Sequence, residues 1–386
     1  MKRWRKKHGI FLFLFILAVV SPAITLLGTR HFRDKMHEQL LLKVMAERVA
    51  GDATSNREKG LRLFHYVHER LYTPPGGRAA GDSILEVLVR NVAWCSRQAD
   101  ILAMLARRVG VNGGYVTLFG YDDVSHHTVC ALDLGGKLRM LDPFNGYLFT
   151  AEEGEIATLE DVRERGPKLH SPQFEAVKQL QGESPDSYFR FFEPEHDWEI
   201  HIPSAPMWLT YMDYYYDVFG DPFLKGYQDL YFRISHTDLF TRARMKQLAG
   251  RFESALNDYD RILAGEDGFE PPVLGIDYQP VTKQVLRAEA AFFRGQTYWD
   301  MELHEACLRE MEEYVRTFPE NRWQGLAYFY LGACAEKSGR LEEAAAWYKR
   351  IQGDELSRTP APVNYVGVLE RLRAVTARPH DEKGLN

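Results

Sequence analysis

The pattern of apolar and polar positions predicts a mixed helix and strand region followed by a purely helical one. Apolar residues recur every three or four positions over residues 56–72 and 95–108, which predicts two amphipathic helices. Short runs rich in β-branched and aromatic residues predict three strands, at 115–119, 126–132 and 138–141. Gly135-Gly136 predicts a hairpin turn between the last two strands. A helix followed by an antiparallel meander predicts an α+β domain over 30–150.

The last third of the chain repeats a helical pattern. Gly250-Arg251-Phe252-Glu253-Ser254-Ala255 matches Gly339-Arg340-Leu341-Glu342-Glu343-Ala344, and a looser unit lies between them around Leu303 and Tyr314. This pattern resembles tetratricopeptide repeats, in which small residues lie where paired helices approach each other. The resemblance implies an all-α domain over 240–355 that stacks helical hairpins and binds a protein partner. Residues 356–386 are then a C-terminal tail.

The amino terminus is basic and then apolar. Residues 1–9 are rich in lysine and arginine, and an uncharged apolar run extends from Ile10 to Leu27. At about 1.5 Å per residue this run reaches about 27 Å, close to the thickness of a bilayer's hydrocarbon core. The positive-inside rule leaves the basic tail in the cytoplasm and the bulk of the chain outside it.

We therefore expect a single-pass signal anchor at 10–27 in a bacterial inner membrane, with the rest of the chain in the periplasm. Ser21-Pro22-Ala23 loosely matches a cleavage site, so a removable signal peptide is the alternative. The apolar run continues past Ala23, which favours the anchor.

Composition narrows the classes of function. The net charge of −6 is mild and no basic stripe is interleaved with aromatic residues, so no nucleic-acid partner is expected. Four cysteines in 386 residues are too few for a disulfide framework. Cys307 and Cys334 leave open one bridge in an oxidising compartment, although two buried free thiols are the preferred interpretation.

Residues 151–239 are predicted to be a connector, and this segment is dense in aromatic residues from Trp208 onward. The simplest interpretation is a helical segment that packs between the two domains. One alternative is an aromatic substrate groove. Another is a structural protein whose aromatic belt, around Trp208 to Tyr216, lies on the membrane.

Three residues in the α+β region form a candidate catalytic triad. Cys95 opens the second predicted helix, where the positive end of the helix dipole favours a thiolate over a thiol. His127 lies on the second strand and Asp142 ends the third. A hairpin that turns at Gly135-Gly136 brings these two residues to the same end of the sheet. An imidazole oriented by a carboxylate activates a thiol as a nucleophile.

The segment from Trp94 to Phe149 resembles the core of the transglutaminase-like superfamily of papain-like thiol enzymes. The residues that carry the resemblance are Trp94-Cys95-Ser96-Arg97-Gln98-Ala99, Gly110-Val111, His127-Thr128-Val129 and Leu141-Asp142-Pro143. The resemblance implies a papain/transglutaminase-like core, a helix packed on an antiparallel sheet, and acyl transfer through a thioester on Cys95. The chain departs from the family at Ala93, where many members carry glycine.

Some assignments within the site stay open. His126 is the rival of His127 for the base, since strand alternation points the two to opposite faces; the family spacing favours His127. The backbone N–H of Cys95 is the default donor to an oxyanion. The indole of Trp94 or the amide of Asn91 is the candidate for the second donor.

No metal ion or other cofactor is expected. His65 and His68 share a helical face but have no third ligand nearby, and His196 with His201 fit no familiar metal-site spacing. No glycine-rich loop that would cradle a phosphate is present in the sequence.

The sequence thus predicts an anchored thiol enzyme that acts on the carboxamide or peptide bonds of a protein or peptide. The acyl-thioester would pass to water, as in a protease or amidase, or to an amine, as in a transferase. The alternative from another class is a non-catalytic scaffold of the cell envelope that binds proteins through its helical repeats.

Overall fold

The computed structural model describes the chain in nine ranges, which are 28–73, 83–119, 125–151, 155–165, 172–192, 198–203, 211–266, 282–356 and 358–376. The predicted basic tail at 1–9 and the apolar run at 10–27 lie outside the described residues. Positions 377–386 of the predicted C-terminal tail do so as well.

Four helices come first along the described chain: α1 (Arg30–Ala50), α2 (Asn56–Arg70), α3 (Ile84–Arg90) and α4 (Cys95–Arg108). Local side chains fix where two of them begin. The hydroxyl oxygens of Ser55 and Ser83 each accept a backbone N–H of the first turn, at 3.1 Å. The starts of α2 and α3 are therefore set by short-range interactions.

An antiparallel sheet follows, with strands β1 (Gly113–Phe119), β2 (Ser125–Asp133), β3 (Leu138–Asp142), β4 (Tyr147–Leu148) and β5 (Trp198–His201). The strand order is β4-β3-β2-β1-β5. The predicted meander corresponds to the three central strands, and the structure adds one short strand at each edge. Helix α4 packs against β1 and β2 on one face of the sheet.

Residues of the predicted connector cover the other face of the sheet. They form α5 (Leu159–Arg165), α6 (Pro172–Leu180), α7 (Pro185–Phe189) and a 3-10 turn at Arg190–Phe192. Phe174, Tyr188 and Phe192 are buried there against sheet residues such as Val129 and Met140. The segment therefore completes the sheet domain as well as connecting it to the helices that follow.

A β-bulge interrupts the pairing of β1 with β2 at the candidate site. Leu118 pairs with His127, but the next residue, Phe119, pairs with Ser125. One residue of β1 thus opposes two of β2, and His126 is the extra residue. The strand alternation that was expected to separate His126 from His127 does not apply across this bulge.

The remaining helices are α8 (Tyr211–Ile234), α9 (Leu239–Leu248), α10 (Phe252–Leu263), α11 (Lys283–Asp300), α12 (His304–Thr317), α13 (Gln324–Lys337), α14 (Leu341–Tyr348) and α15 (Ala361–Thr376). From α9 to α15, each helix packs against the next along the chain. A Cβ atom at Gly332 would lie 2.4 Å from the ring of Tyr348, so only glycine permits this approach of α13 and α14. The resemblance to tetratricopeptide repeats stays a prediction.

The predicted fold class is wrong. Of the residues that the structure describes, 66% are helical, and they include one small five-stranded antiparallel sheet, rather than an α+β core with a membrane helix. The reason is that the eight helices α1 to α8 accompany only five short strands in the described part of the first 240 residues, so helix dominates even there.

The predicted single-pass anchoring, and with it the inner-membrane localisation, is also wrong. Among the described residues, no helix is both long enough and apolar enough to cross a bilayer. The predicted anchor at 10–27 is itself outside the described part of the chain. Of the proposed aromatic belt, Trp208 is likewise outside, Tyr214 is exposed and Tyr215 is buried.

The helical end of the chain, which comprises α9 to α15, packs closely on the segments next to Cys95. Tyr72 and Val92 belong to the same hydrophobic cluster as α9 to α15, and the rings of Tyr72 and Trp323 lie 5.6 Å apart. Arg244, which is 1% exposed, donates to the carbonyl oxygens of Val89 (2.8 Å) and Leu88 (3.2 Å) at the end of α3. The helices therefore support the chain on which the candidate nucleophile lies.

Candidate active site

Cys95 is the first residue of α4, and Trp94 precedes the helix without a side-chain cap. The backbone N–H groups of the first turn have no acceptor within the helix, so they and the helix dipole favour negative charge there. The thiol is half-buried and is not in a disulfide. A thiolate is thus placed at the electropositive end of a 14-residue helix.

His127 lies between the thiol and a carboxylate. Its Nε2 bonds to Oδ2 of Asp142 at 2.7 Å, and the imidazole side chain also hydrogen-bonds with Cys95. Because Nε2 is engaged by the carboxylate, Nδ1 is the nitrogen left for the sulfur. The structure therefore brings the three residues of the predicted triad into one hydrogen-bonded chain.

Asp142 is completely buried and is surrounded by donors. Its Oδ1 accepts the backbone N–H groups of Phe144 (3.0 Å) and Asn145 (3.1 Å). Its Oδ2 accepts the side-chain amide of Asn145 (2.8 Å) and the hydroxyl of Tyr188 (2.5 Å) in addition to His127. A buried carboxylate with this many donors stays ionised and keeps one orientation.

A side chain of α2 hydrogen-bonds to the turn after Asp142, residues 143–146. His68 bonds through Nδ1 to the carbonyl oxygen of Pro143 at 2.9 Å, and burial lowers the pKa of His68 to about 4. A neutral His68 therefore donates this bond. Gly146 has φ 66°, and a Cβ there would lie 2.3 Å from the His68 ring, so the turn requires glycine at this position.

The electrostatics of the triad favour an ion pair. Burial raises the pKa of the Cys95 thiol, but the hydrogen bond and charge of His127, with the N–H of Thr128, outweigh burial and lower it overall. Burial lowers the pKa of His127, whereas Asp142 and then Cys95 raise it to about 10. Burial also raises the pKa of Asp142, but His127, Asn145 and Tyr188 hold it well below its usual range.

The pKa values of Cys130 and Cys307 are shifted in the opposite direction. Burial raises the pKa of Cys130 far above the usual thiol value. The pKa of Cys307 is raised by its hydrogen bond with Cys334 and by burial; both residues are free thiols. Among these thiols, only Cys95 has a lowered pKa together with partial exposure, the two properties that a nucleophilic cysteine needs.

The segment before the nucleophile, residues 91–94, is fixed by hydrogen bonds on both sides. The backbone of Tyr72 bonds to Asn91 and Ala93, each at 2.9 Å, and the hydroxyl of Thr73 donates to the carbonyl of Ala93 at 2.9 Å. Gln98 donates to the same Ala93 carbonyl at 3.2 Å. The carbonyl of Ala93 accepts both of these side-chain hydrogen bonds and so anchors the segment.

The two candidates for the second oxyanion donor differ in position. Trp94 lines the pocket beside His127. Asn91 is 2% exposed, adopts a left-handed conformation (φ 60°) at the end of α3, and its amide nitrogen has no hydrogen-bond partner among the described residues. Of the two side chains, only Trp94 is among the residues that border this pocket.

A pocket of about 480 Å³ adjoins the imidazole. It is lined by Thr73, Trp94, His126, His127, Phe144, Asn145, Lys178, Glu183, Tyr188 and Arg358. These residues come from the sheet domain, from the connector and from the segment after the last repeat-like hairpin. Since His126 shares the pocket with His127, the bulge places both histidines at the same opening, and His127 is hydrogen-bonded to Asp142.

The candidate metal ligands take other roles or stay apart. His68 supports the turn at 143–146, while His65 lies exposed on α2, and His196 lies outside the described residues. Within the described ranges, no group of three His, Cys, Asp or Glu side chains converges in a way that would hold a metal ion.

Sequence reasoning missed four residues of the site: Asn145, Lys178, Tyr188 and Arg358. Asn145 follows Asp142 by three residues, and an Asp-Pro-x-Asn turn is a signal that would have suggested it. The other three lie beyond residue 170, where no periodicity relates them to the triad. Lys178 bonds to Glu183 at 2.8 Å and to Oδ1 of Asn145 at 3.5 Å, which orients the Asn145 amide toward Asp142.

Comparison with known proteins identified no matching family model, no similar curated protein and no similar solved structure. The functional argument therefore depends on the geometry of the triad and its surroundings.

Proposed function

We propose that this chain is a thiol-dependent acyl-transfer enzyme of the transglutaminase-like type, acting on amide or peptide bonds of a protein or peptide. The observation that carries the proposal is the hydrogen-bonded chain from Cys95 through His127 to the buried Asp142. A lowered thiol pKa and a raised imidazole pKa at the same pair are what a thiolate–imidazolium nucleophile requires.

The reaction follows from the positions of these groups. The Cys95 thiolate attacks the carbonyl carbon, and the backbone N–H at the start of α4 donates to the oxyanion. The C–N bond then breaks as His127 gives its proton to the departing amine, which leaves an acyl-thioester on Cys95. Asp142 keeps the imidazole oriented throughout and stabilises its positive charge.

The acyl group leaves by the reverse sequence with a second nucleophile. His127 takes a proton from water or from an amine, and that nucleophile attacks the thioester carbonyl. Water gives hydrolysis, as in a protease or amidase, and an amine gives a new amide. We favour hydrolysis because it needs no second binding partner. The helices from α9 to α15 are proposed to recruit a protein partner through surfaces that do not face the sheet domain.

The alternative is a non-catalytic scaffold with the same fold. A non-catalytic scaffold does not require a reactive thiol. In such a protein Asp142 would need only the hydrogen bonds that stabilise the turn at 143–146. Reactivity at Cys95 therefore separates the two proposals.

A test uses p-nitrophenyl acetate, an activated ester that acylates reactive thiols whatever their natural substrate. We expect a burst of p-nitrophenolate equal to one acetyl group per chain, with the acetyl group on the Cys95 peptide by mass spectrometry. Cys95→Ala and His127→Ala should abolish the burst. His126→Ala is the matched control, because His126 borders the same pocket whereas His127 is the histidine that we assign to the triad, and it should retain the burst. Ordinary slow acylation in the wild type would favour the scaffold.

A further inference from the structure

Two buried thiols lie at the same level of the helical hairpin formed by α12 and α13. Cys307 lies ten residues before the end of α12 at Thr317, and Cys334 lies ten residues after the start of α13 at Gln324. At about 1.5 Å per residue, each is about 15 Å from the turn between the helices. Because α12 packs on α13 and a short turn joins them, the two helices are antiparallel and this register places the thiols opposite each other.

The turn between the two helices is fixed by its own hydrogen bonds. The side-chain oxygen of Asn321 accepts the hydroxyl of Tyr314 at 2.7 Å and the backbone N–H of Trp323 at 3.1 Å. The backbone N–H of Phe318 donates to the carbonyl oxygen of Tyr314 at 2.9 Å. Since this turn joins the end of α12 to the start of α13, it sets the register of the hairpin.

The structure brings the two thiols into contact. The side chains of Cys307 and Cys334 are hydrogen-bonded to each other, both are completely buried, and neither is in a disulfide. A disulfide requires an S–S distance of about 2.05 Å. Two thiols that already form a hydrogen bond reach this distance by a small movement of their side chains.

Cys130 shows that burial by itself does not create such a pair. It is as completely buried as Cys307 and Cys334, but its Sγ donates to the backbone carbonyl oxygen of Gly114 at 3.3 Å. Its hydrogen bond therefore links two strands through the backbone. The pairing of Cys307 with Cys334 comes from the register of their hairpin.

The thiol pair belongs to a helix that supports the region next to Cys95. The ring of Trp323, which directly precedes α13, lies 5.6 Å from that of Tyr72. Tyr330 of α13 donates its hydroxyl to the backbone carbonyl of Glu69, at 3.3 Å. A covalent link between α12 and α13 would therefore restrain the helix that contacts α2 and the residues after it.

We propose that Cys307 and Cys334 are an oxidation site, at which a small-molecule disulfide converts the two thiols into an intramolecular disulfide. One thiol attacks the small disulfide, forms a mixed disulfide with it and releases the first small thiol. The second cysteine attacks the protein sulfur of the mixed disulfide, whose S–S bond breaks as the second small thiol leaves. The two cysteines lose two electrons and two protons, and the small disulfide gains them.

Burial determines when this reaction occurs. The hydrogen bond with Cys334 and burial raise the pKa of Cys307 well above the usual thiol value, so the closed hairpin holds thiols rather than thiolates. Attack on the oxidant therefore takes place when α12 and α13 separate by local opening. When the hairpin closes again, its register returns the two sulfurs to each other, and the bridge forms in preference to a lasting mixed disulfide.

The experiment uses the full chain with Cys95→Ala, which removes the partly exposed thiol that would react first. The protein is incubated with oxidised glutathione in urea just below the unfolding transition, and the urea is then removed. Mass spectrometry without reduction identifies the linked peptides. We expect a protein that is lighter by two hydrogen atoms, carries no glutathione and has the Cys307 peptide joined to the Cys334 peptide. Cys130 should stay a free thiol.

Oxidation should also raise the midpoint of urea denaturation by about 1 M, because the bridge closes a loop of the unfolded chain. Adding a dithiol reductant should restore the original midpoint. Cys307→Ala and Cys334→Ala should each prevent the bridge. Cys130→Ala is the matched control, since it also removes a buried thiol, and it should form the bridge with the same yield and the same rise in midpoint.

Three results would overturn the proposal. They are two thiols that stay free, a final product with glutathione on Cys307 or Cys334, and a bridge from either residue to Cys130. A bridge that lowers the urea midpoint would also do so, because it would show that the folded hairpin does not hold the sulfurs within bonding reach. None of these results depends on Cys95, so the proposed acyl transfer is tested separately.

Discussion

The two hydrogen-bond partners of the His127 imidazole, Asp142 and Cys95, are held in place by different kinds of interaction. On one side, the turn at 143–146 wraps the Asp142 carboxylate in hydrogen bonds, most of them from residues that directly follow it. On the other side, the segment at 91–94 that leads to Cys95 is held by hydrogen bonds to Tyr72 and Thr73, and Tyr72 packs against helices that lie far along the chain.

The difference shows that polar interactions fix the carboxylate of the triad, whereas apolar packing fixes the segment that carries the thiol. The carboxylate side must hold a buried charge, which only close donors can compensate. The thiol side must hold a backbone segment in place, and packing of large rings such as Tyr72 on Trp323 does so without adding charge next to the sulfur. Changes on the two sides should therefore have distinguishable effects, on reactivity in one case and on stability in the other.

The largest effect is expected from Asp142→Asn. The substitution keeps the shape of the side chain but removes the charge that raises the pKa of His127 to about 10. Less imidazolium at neutral pH means less thiolate, so acetylation of Cys95 should slow by at least about 100-fold. The measurement is the burst rate with p-nitrophenyl acetate at pH 7. A rate within a few-fold of the wild type would show that the carboxylate does not govern the thiol.

Arg244→Met tests the interactions that hold the end of α3, next to the segment that leads to Cys95. Arg244 lies in α9 and donates to the carbonyl oxygens of Val89 and Leu88, so the substitution removes the side-chain donor of both carbonyls. We expect the free energy of unfolding to fall by about 3 kcal/mol, measured by urea denaturation. Acetylation of the protein that remains folded should change less than in Asp142→Asn.

The matched control for this variant is Lys246→Met. Lys246 is also buried in α9 but bonds to Asp258 within the helical end, and Arg242 remains to pair with that carboxylate. The burst rate should stay at its wild-type value in this control. If both variants changed the burst rate equally, the contact between α9 and α3 would have no special influence on Cys95.

Tyr188→Phe tests a single hydrogen bond to the carboxylate of Asp142. It removes the hydroxyl that donates to Oδ2 of Asp142 at 2.5 Å but keeps the ring in its aromatic cluster. We expect acetylation to slow by about three- to tenfold, because a single donor among several is lost. Tyr259→Phe, which removes a buried hydroxyl bonded to Gln247, is the control. Equal effects on acetylation in the two variants would contradict a role for Tyr188 at the site.

The pH dependence of stability gives a smaller and independent effect. Because folding raises the pKa of His127 from 6.5 to about 10, its contribution is complete below about pH 6.5 and is lost as the pH rises toward 10. A Cys95→Ala background removes the titration of the thiol, which runs with the opposite sign. In that background the free energy of unfolding should decline by up to about 1.4 kcal/mol per pH unit, and His127→Gln should remove the decline.

Features of the structure that depend on residues close in sequence were predictable, and features that depend on contacts between distant segments were not. The helix that begins at Cys95, the hairpin at Gly135-Gly136 and the meeting of His127 with Asp142 follow from periodicity and turn residues. The bulge at His126 did not, because an extra residue in one strand depends on how its partner strand is paired.

The wider surroundings of the site depend on contacts between distant segments. Tyr188 and Arg358 reach the pocket only because α6, α7 and the segment before α15 pack over the sheet domain, and no pattern in their own sequence indicates this. The fold class was wrong for a similar reason: the helices around the sheet outnumber what the strand pattern suggested. The pairing of Asp142 with His127 was therefore found from the sequence, and the further donors to Asp142, Asn145 and Tyr188, were not.

The most direct test of the triad is the rate at which iodoacetamide alkylates Cys95 as a function of pH. The account predicts a midpoint below the ordinary thiol value of 9.0. His127→Ala should move the midpoint upward, since burial would then be opposed without the hydrogen bond and charge of the imidazole. His126→Ala should leave it in place. A wild-type midpoint at or above 9.0 that does not move in His127→Ala would contradict the thiolate–imidazolium pair.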